Sequence, residues 1–526
     1  MREIDVAAVQ QMQHSGLTVG TQVLRALARH PGRPAFTWDG GEMSYRGAAE
    51  LIGRIQKVFL AHGLGRGVRV AVLSANRVDS WCASVAAHLC GATTTSLHPK
   101  GSFSDHVYQL EDSGAAALVI DAQTFSEVGG QLSARENLKV FTLGASGWGI
   151  DLNAAALKAG AATARDLAHP DDVATLNYTG GTTGKAKGIV RRHHGTVAIA
   201  NAILADFDLP RRPYYLAVAP VSHVSGTKVL PTLMRGGCIH LARTFDPGQV
   251  LATIEQRRIN AMLVVPTMLY TLLDEPKLAR ADVSSLELLL YGAAPISPAR
   301  LAEGVERIGP VFAQLYGQTE CHPIAFLPKE DHDPLAPHLL AACGFPVSQN
   351  AIALLDDEGR PIPAGEAGEI CVRGPNVMAG YWNRPEETAE ALKFGWLHTG
   401  DIARSDDEGR LYIVDRKKDM IITGGFNVFT RAVEDVLMSN SAVSLAAVIA
   451  TPDARWGETV TAIVVRHPGA HVSAETLIQE VKASKGAAHA PKRVEFVDAL
   501  PVTSLGKIDK KALRAKYWAG RSRDIG

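Results

Sequence analysis

The chain has 526 residues, of which 46% are hydrophobic and 21% charged, a composition that excludes a disordered or collagen-like protein. A chain of this length folds as roughly two to four cores rather than one. Its 54 Lys and Arg balance its 54 Asp and Glu, so no basic excess points to nucleic acid or an anionic membrane surface.

The N-terminal MREIDVAAVQQMQ lacks the apolar centre of a signal peptide. No run of about 18 apolar residues suggests a spanning helix. The six cysteines are spread widely and form no C-x-x-C pair, which fits reduced thiols and a cytoplasmic location rather than a disulfide framework or a zinc site.

In chain order, LIGRIQKVFLAHGL reads as a helix and VRVAVLS (68–74) as a buried strand, with a further helix around Trp81 to Cys90. AALVID (116–121), YYLAVAP (214–220), CIHLA (238–242) and AMLVVP (261–266) continue the strands. ELLLYGAAP (287–295) is a strand running into a small-residue turn. Strands interleaved with helices predict parallel sheet in an α/β architecture, with ligands beyond the carboxyl ends of the strands. After about residue 345 the texture changes to short strands and turns, predicting a small antiparallel or β-barrel-like unit. The charged run Asp415-Arg416-Lys417-Lys418-Asp419 follows, read as a hinge or as a solvated turn. A mobile α+β unit of about 100 residues, large enough to fold separately, closes the chain. The expected division is a large domain over 1–416 and a small one over 417–526.

The segment Tyr178-Thr179-Gly180-Gly181-Thr182-Thr183-Gly184-Lys185-Ala186-Lys187-Gly188 carries the strongest chemical signal. Its glycines let backbone N–H groups approach a ligand, its threonines add hydroxyl donors and its lysines add positive charge. Together they suit a polyphosphate better than a plain surface loop. It is not a Walker loop, because Thr179 stands where Gly is needed and Ala186 where Ser or Thr should follow Gly-Lys.

Further segments follow in order: Gly292-Ala293-Ala294-Pro295, Tyr316-Gly317-Gln318-Thr319-Glu320, GEICVRGPNVMAGYWNRPEET, Gly395-Trp396-Leu397-His398-Thr399-Gly400-Asp401, the charged run, and Gly506-Lys507. In this order the chain resembles the adenylate-forming superfamily of acyl-CoA synthetases, luciferases and peptide-synthetase adenylation domains, over roughly residues 40 to 515.

The resemblance implies ATP as cosubstrate. Thr179, Gly180, Gly181, Thr182, Thr183, Gly184 and Lys187 would hold its β- and γ-phosphates. Gly292, Ala293 and Ala294 would leave a flat slot for adenine, with Tyr316 and Gly317 at the ring. Thr319 would sit near the α-phosphate, and Glu320 is a hard oxygen ligand for Mg²⁺, or else a helix cap. Asp401 would accept from the ribose hydroxyls, with Arg416 beside it, although HTGD also reads as a turn. Lys418 would be the hinge, and Lys507 would contact the attacking carboxylate and the α-phosphate, where out of context it would be a surface lysine. His223, Ser225 and His322 would line a pocket for a small or aromatic acid, His223 being alternatively a core histidine.

The chain departs from the family on the side of the acyl acceptor. Thr430 and Ala432 are unusual in the loop after the hinge, and Ala488 and His489 replace an aromatic residue and a lysine, so a face on which CoA's adenine could stack is lost. Trp456 and Lys492 remain. The sequence therefore predicts adenylation of an acid followed by transfer to CoA. The alternative acceptor is an amine or a carrier-protein thiol, including nitrite activation for diazotising an aryl amine. The acid and the oligomeric state are not legible.

Overall fold

The computed structural model describes residues 16–179, 186–363, 365–423, 426–453, 455–503 and 508–518. Two large sheets, mostly parallel, dominate. One has nine strands in the order 345–346, 325–327, 312–316, 288–292, 261–264, 214–217, 238–241, 34–38, 41–44. The other has eight, in the order 380–381, 187–192, 173–179, 93–96, 69–73, 117–121, 139–143, 150–151. Antiparallel pairing is confined to the ends of these sheets, where hairpins such as Val173–Thr179 with Lys187–Arg192 replace helical crossovers.

Burial is continuous along the central strands because both sheet faces are covered, and successive side chains enter different cores. Tyr215, Ala217, Leu263 and Leu290 face a core shared with Val70, Val72, Val119 and Phe141 of the second sheet. The helices Tyr45–Ala61 and Val78–Leu89 lie in that shared core through Ile52, Ile55, Phe59, Cys82 and Ala86. The opposite residues, Leu216, Met262, Val264, Leu289 and Tyr291, pack under the helices Pro247–Arg257, Pro266–Asp274 and Pro298–Ile308. Local chemistry sets helix ends: Ser102 and Asp105 form a reciprocal capping box at Phe103–Ser113, and Gly114 ends that helix at φ 60°.

The predicted small unit is a four-stranded antiparallel sheet, Ala351–Leu355, Gly368–Arg373, Leu397–Ser405 and Leu411–Arg416, open rather than closed into a barrel. After Arg416 the chain enters a separate sheet, with its own core of Ile421, Val433, Leu437, Val448, Val460, Val464, Leu477 and Val481. All six cysteines are unpaired. Among the described residues, no helix is long and apolar enough to cross a membrane.

Candidate active site

The site forms where neighbouring parallel strands end. Leu288–Gly292 pairs with Phe312–Tyr316, with Gly292 opposite Leu315. A Cβ on Gly292 would stand 2.2 Å from the Leu315 carbonyl oxygen, so only glycine permits this approach. Ala293 then takes a left-handed conformation, φ 66°, which turns the chain out of the sheet and leaves Ala293 and Ala294 half-buried at the strand ends.

Tyr316 ends the adjacent strand. It is largely buried, and its hydroxyl donates to Asp401 Oδ2 at 2.7 Å, a role beyond the stacking ring read from sequence. Burial and the Asp401 carboxylate hold the phenol far above its usual pKa, so it remains a donor. Gln318 Nε2 donates to the same oxygen at 2.8 Å and to the Thr399 carbonyl at 2.7 Å. Arg416 Nε reaches Asp401 Oδ1 at 3.2 Å, because the two residues are register partners on antiparallel strands. Asp401 is only 3% exposed, yet three donors fix both of its oxygens. The HTGD segment is therefore not a turn. It runs inside the strand Leu397–Ser405, with Gly400 at φ 70° and its N–H held by Glu369 at 2.8 Å.

The loop 317–322 folds back on itself through a Gln318 N–H bond to the Cys321 carbonyl, 2.8 Å long. Gly317 is required there, since a Cβ would stand 2.9 Å from His322 Nδ1. The buried Arg191 guanidinium donates to the Thr319 carbonyl. No helix follows Glu320, which removes the helix-cap reading. Glu320 Oε1 instead accepts from the Tyr381 hydroxyl at 3.0 Å, and its carbonyl accepts from Met378 N–H at 2.8 Å. Lys187 Nζ lies 4.9 Å from the centroid of the same Tyr381 ring. Tyr381 thus joins the predicted phosphate loop to the predicted metal ligand.

Thr179 and Lys187 are register partners at the mouth of a hairpin. Gly180, Gly181, Thr182, Thr183, Gly184 and Lys185 between them lie outside the described residues, as does Lys507. Lys418 sits in the turn between Leu411–Arg416 and Ile421–Thr423, and burial together with Arg416 lowers its amine to about 8. The departure at Thr430 has a structural partner. Its N–H and hydroxyl donate to Asp415 across the predicted hinge, and the hydroxyl accepts from Lys510 at 2.8 Å.

The predicted acid side is built differently. Asn76 bonds three carbonyls, of Ala217, Ala219 and Ala242, and accepts from Val221 N–H, which pins the segment leading to His223. His223 packs edge-on to His98 at 4.5 Å between centroids, and burial lowers the two rings to about 3 and about 4. The Ser225 hydroxyl is fully buried and paired with the Tyr215 hydroxyl at 2.8 Å, turned into the core rather than toward a ligand. His322 is buried and neutral, its Nε2 lying 3.3 Å from Lys228 Nζ.

Sequence reasoning missed Lys228, Arg191, Tyr381 and Asn76 as site residues. Tyr381 lies within the GYW of a segment singled out for its order, and Lys228 is a lone cation at the start of an apolar stretch. Arg191 and Asn76 carry no local signal.

Comparison with known proteins agrees with this geometry. Residues 23–382 match the AMP-binding enzyme family and residues 432–507 match the AMP-binding enzyme C-terminal domain. The chain is 43% identical to a medium/long-chain-fatty-acid–CoA ligase, FadD8, of Mycobacterium tuberculosis, over 96% of this chain and 91% of that one. It is 35% identical to a feruloyl-CoA synthase of Amycolatopsis, over 96% and 100%. Among solved structures, the amide bond synthetase McbA from Marinactinospora thermotolerans superposes with a TM-score of 0.88 at 33% identity, covering 95% of this chain and 99% of that one. With two large mostly parallel sheets, an Asp401 locked beside Tyr316 at their strand ends and a separate C-terminal unit, the chain belongs to the AMP-binding enzyme family and is an AMP-forming ligase.

Proposed function

We propose that this enzyme condenses a small or aromatic carboxylic acid with ATP, releases pyrophosphate, and passes the acyl group from the adenylate to CoA. The observation that carries the reading is the convergence of Tyr316, Gln318 and Arg416 on the buried Asp401, beside the Glu320–Tyr381–Lys187 group. Asp401 and Arg416 are rigid enough to select the ribose, and the open turn at Ala293 and Ala294 admits a flat ring. Lys187 and the threonine-rich loop would meet the β- and γ-phosphates. Glu320 fits Mg²⁺: it is a half-buried carboxylate with one oxygen oriented by Tyr381. Bound there, the ion would offset charge on the departing pyrophosphate.

The acid's carboxylate attacks the α-phosphorus, and the bond from phosphorus to pyrophosphate breaks. No protein nucleophile is needed, so catalysis is positioning and electrostatics. In this reading Lys507 approaches from the small domain, 417–526, which turns about Lys418 after the first step. Thr430 and Asp415 would hold one of its orientations.

A second acceptor class is favoured by particular residues. Ala488 offers no ring on which CoA's adenine can stack, and Trp456 is already covered by the Arg455 guanidinium at 4.7 Å. The likeness to an amide bond synthetase points the same way, toward an amine. The test is exchange of labelled pyrophosphate into ATP with panels of acids and nitrite, then product analysis with and without CoA and amines. Acid-dependent exchange is expected. CoA-dependent thioester formation eliminates the second acceptor class, and amide formation without CoA eliminates the first.

A further inference from the structure

Lys228 ends the short 3-10 turn Val224–Lys228 that follows His223, and its side chain is 0% exposed. Its amine lies 3.0 Å from Thr227 Oγ1, 3.3 Å from His322 Nε2 and 5.6 Å from the Phe207 ring centroid. Among the described residues, no carboxylate forms an ion pair with it, and burial alone lowers its pKa, to about 7. Lys510, the inward-turned lysine of the small domain, shows the ordinary solution: its amine meets Glu434 at 2.7 Å. A buried cation without an anion is costly, and chains rarely retain one unless a ligand supplies the missing charge.

The location narrows the ligand. Lys228 comes five residues after His223, on one wall of the predicted acid pocket, and touches His322, two residues after Glu320, on the other. His322 Nε2 lies within hydrogen-bond reach of the amine and fixes its direction. The amine therefore stands where the acid-side wall meets the nucleotide loop. In the adenylation reading Lys507 meets the carboxylate that attacks phosphorus, so the group assigned to Lys228 is a different one.

We propose that Lys228, oriented by His322, is a specificity-determining residue that binds a second acidic oxygen on the acid substrate, distinct from the carboxylate that receives AMP. The inference rests on the adenylation reading above. Two sources share this chemistry, a second carboxylate and a phenolic hydroxyl on an aromatic acid.

The experiment measures pyrophosphate exchange with benzoate, 3- and 4-hydroxybenzoate, and benzene-1,3- and 1,4-dicarboxylate, using the wild type and Lys228→Met. The wild type should favour an acid with the extra oxygen over benzoate by about 10- to 100-fold in kcat/KM, mainly through KM, as expected for a charge-assisted hydrogen bond. The better arm identifies the source. Lys228→Met should erase that preference, and without ligand it should melt no lower than the wild type, because it removes an unpaired buried charge. Preference for benzoate in the wild type, or an unchanged preference in Lys228→Met, overturns the proposal. So does a lower melting temperature with unchanged selectivity, which would make Lys228 merely structural. Should Lys228→Met fail to fold, the wild-type ratios alone decide. Absence of exchange with every acid, including simple fatty acids, would instead sink the adenylation reading.

Discussion

The proposed nucleotide side and the proposed acid side of the site are built on opposite principles. On the proposed nucleotide side the two carboxylates described are met by donors inside the protein: Asp401 by Arg416, Tyr316 and Gln318, and Glu320 by Tyr381. On the acid side the titratable groups are bases, His98, His223, His322 and Lys228, and burial lowers the pKa of each. A self-satisfied cluster holds its geometry before the ligand arrives, which suits a nucleotide common to all family members. A cluster of bases without an acid leaves selection to the incoming acid. In this reading the nucleotide half is preorganised, and the acid half is completed by substrate.

The harshest way to test that contrast is to remove the charge proposed to join the halves. Lys507→Ala should lower the rate of adenylate formation by about 10²- to 10³-fold with little change in ATP affinity, measured in single turnover, since it removes one electrostatic contact to the transition state. Retained adenylation would break the mechanism. Next comes Asp401→Asn, which keeps the shape but removes the charge that orients Arg416. KM for ATP should rise by about 10- to 100-fold while KM for the acid hardly moves. A rise in both would mean that the two sides are not independent. Tyr381→Phe removes one hydrogen bond to Glu320 and should cost about 2- to 10-fold, read as a higher Mg²⁺ requirement.

The mildest test is acidity. His88, His240 and His332 are core residues whose rings burial lowers to about 3, 4 and 4. The unfolded chain takes up protons near pH 6.5, while the folded chain resists until about pH 4, so acidification favours unfolding across that window. At pH 5 each histidine should cost on the order of 1 to 2 kcal/mol, lowering the melting temperature relative to pH 7.5. KM for the acid should not follow this trend between pH 5.5 and 7.5 through His98 or His223, whose rings stay neutral there. A flat melting temperature from pH 7.5 to 5 would show that these rings are not desolvated.

The turns of the proposed nucleotide half were legible because their signals are local. Gly292, Gly317 and the YGQTE and HTGD segments mark sites where backbone crowding or a fixed donor restricts the residue within a few positions. The strands were legible because burial on both faces writes continuous apolar runs. HTGD also read as a turn, since only its pairing with Gly368–Arg373 and Leu411–Arg416 makes it extended. Ser225 was misassigned because a hydroxyl in sequence does not reveal whether it faces a pocket or Tyr215.

From its amino-acid order alone, then, this protein was determined to be an α/β enzyme with glycine-built turns for a nucleotide, and a separate C-terminal unit beyond a charged run. Tertiary structure decided which groups answer one another: Lys228 meets His322 across 94 positions, Tyr381 meets Glu320 across 61 and Asp401 meets Tyr316 across 85. Backbone conformation is restricted by neighbours in the chain, so glycine and periodicity record it. The partner of a buried charge is chosen by packing between distant strands, and no local pattern encodes it.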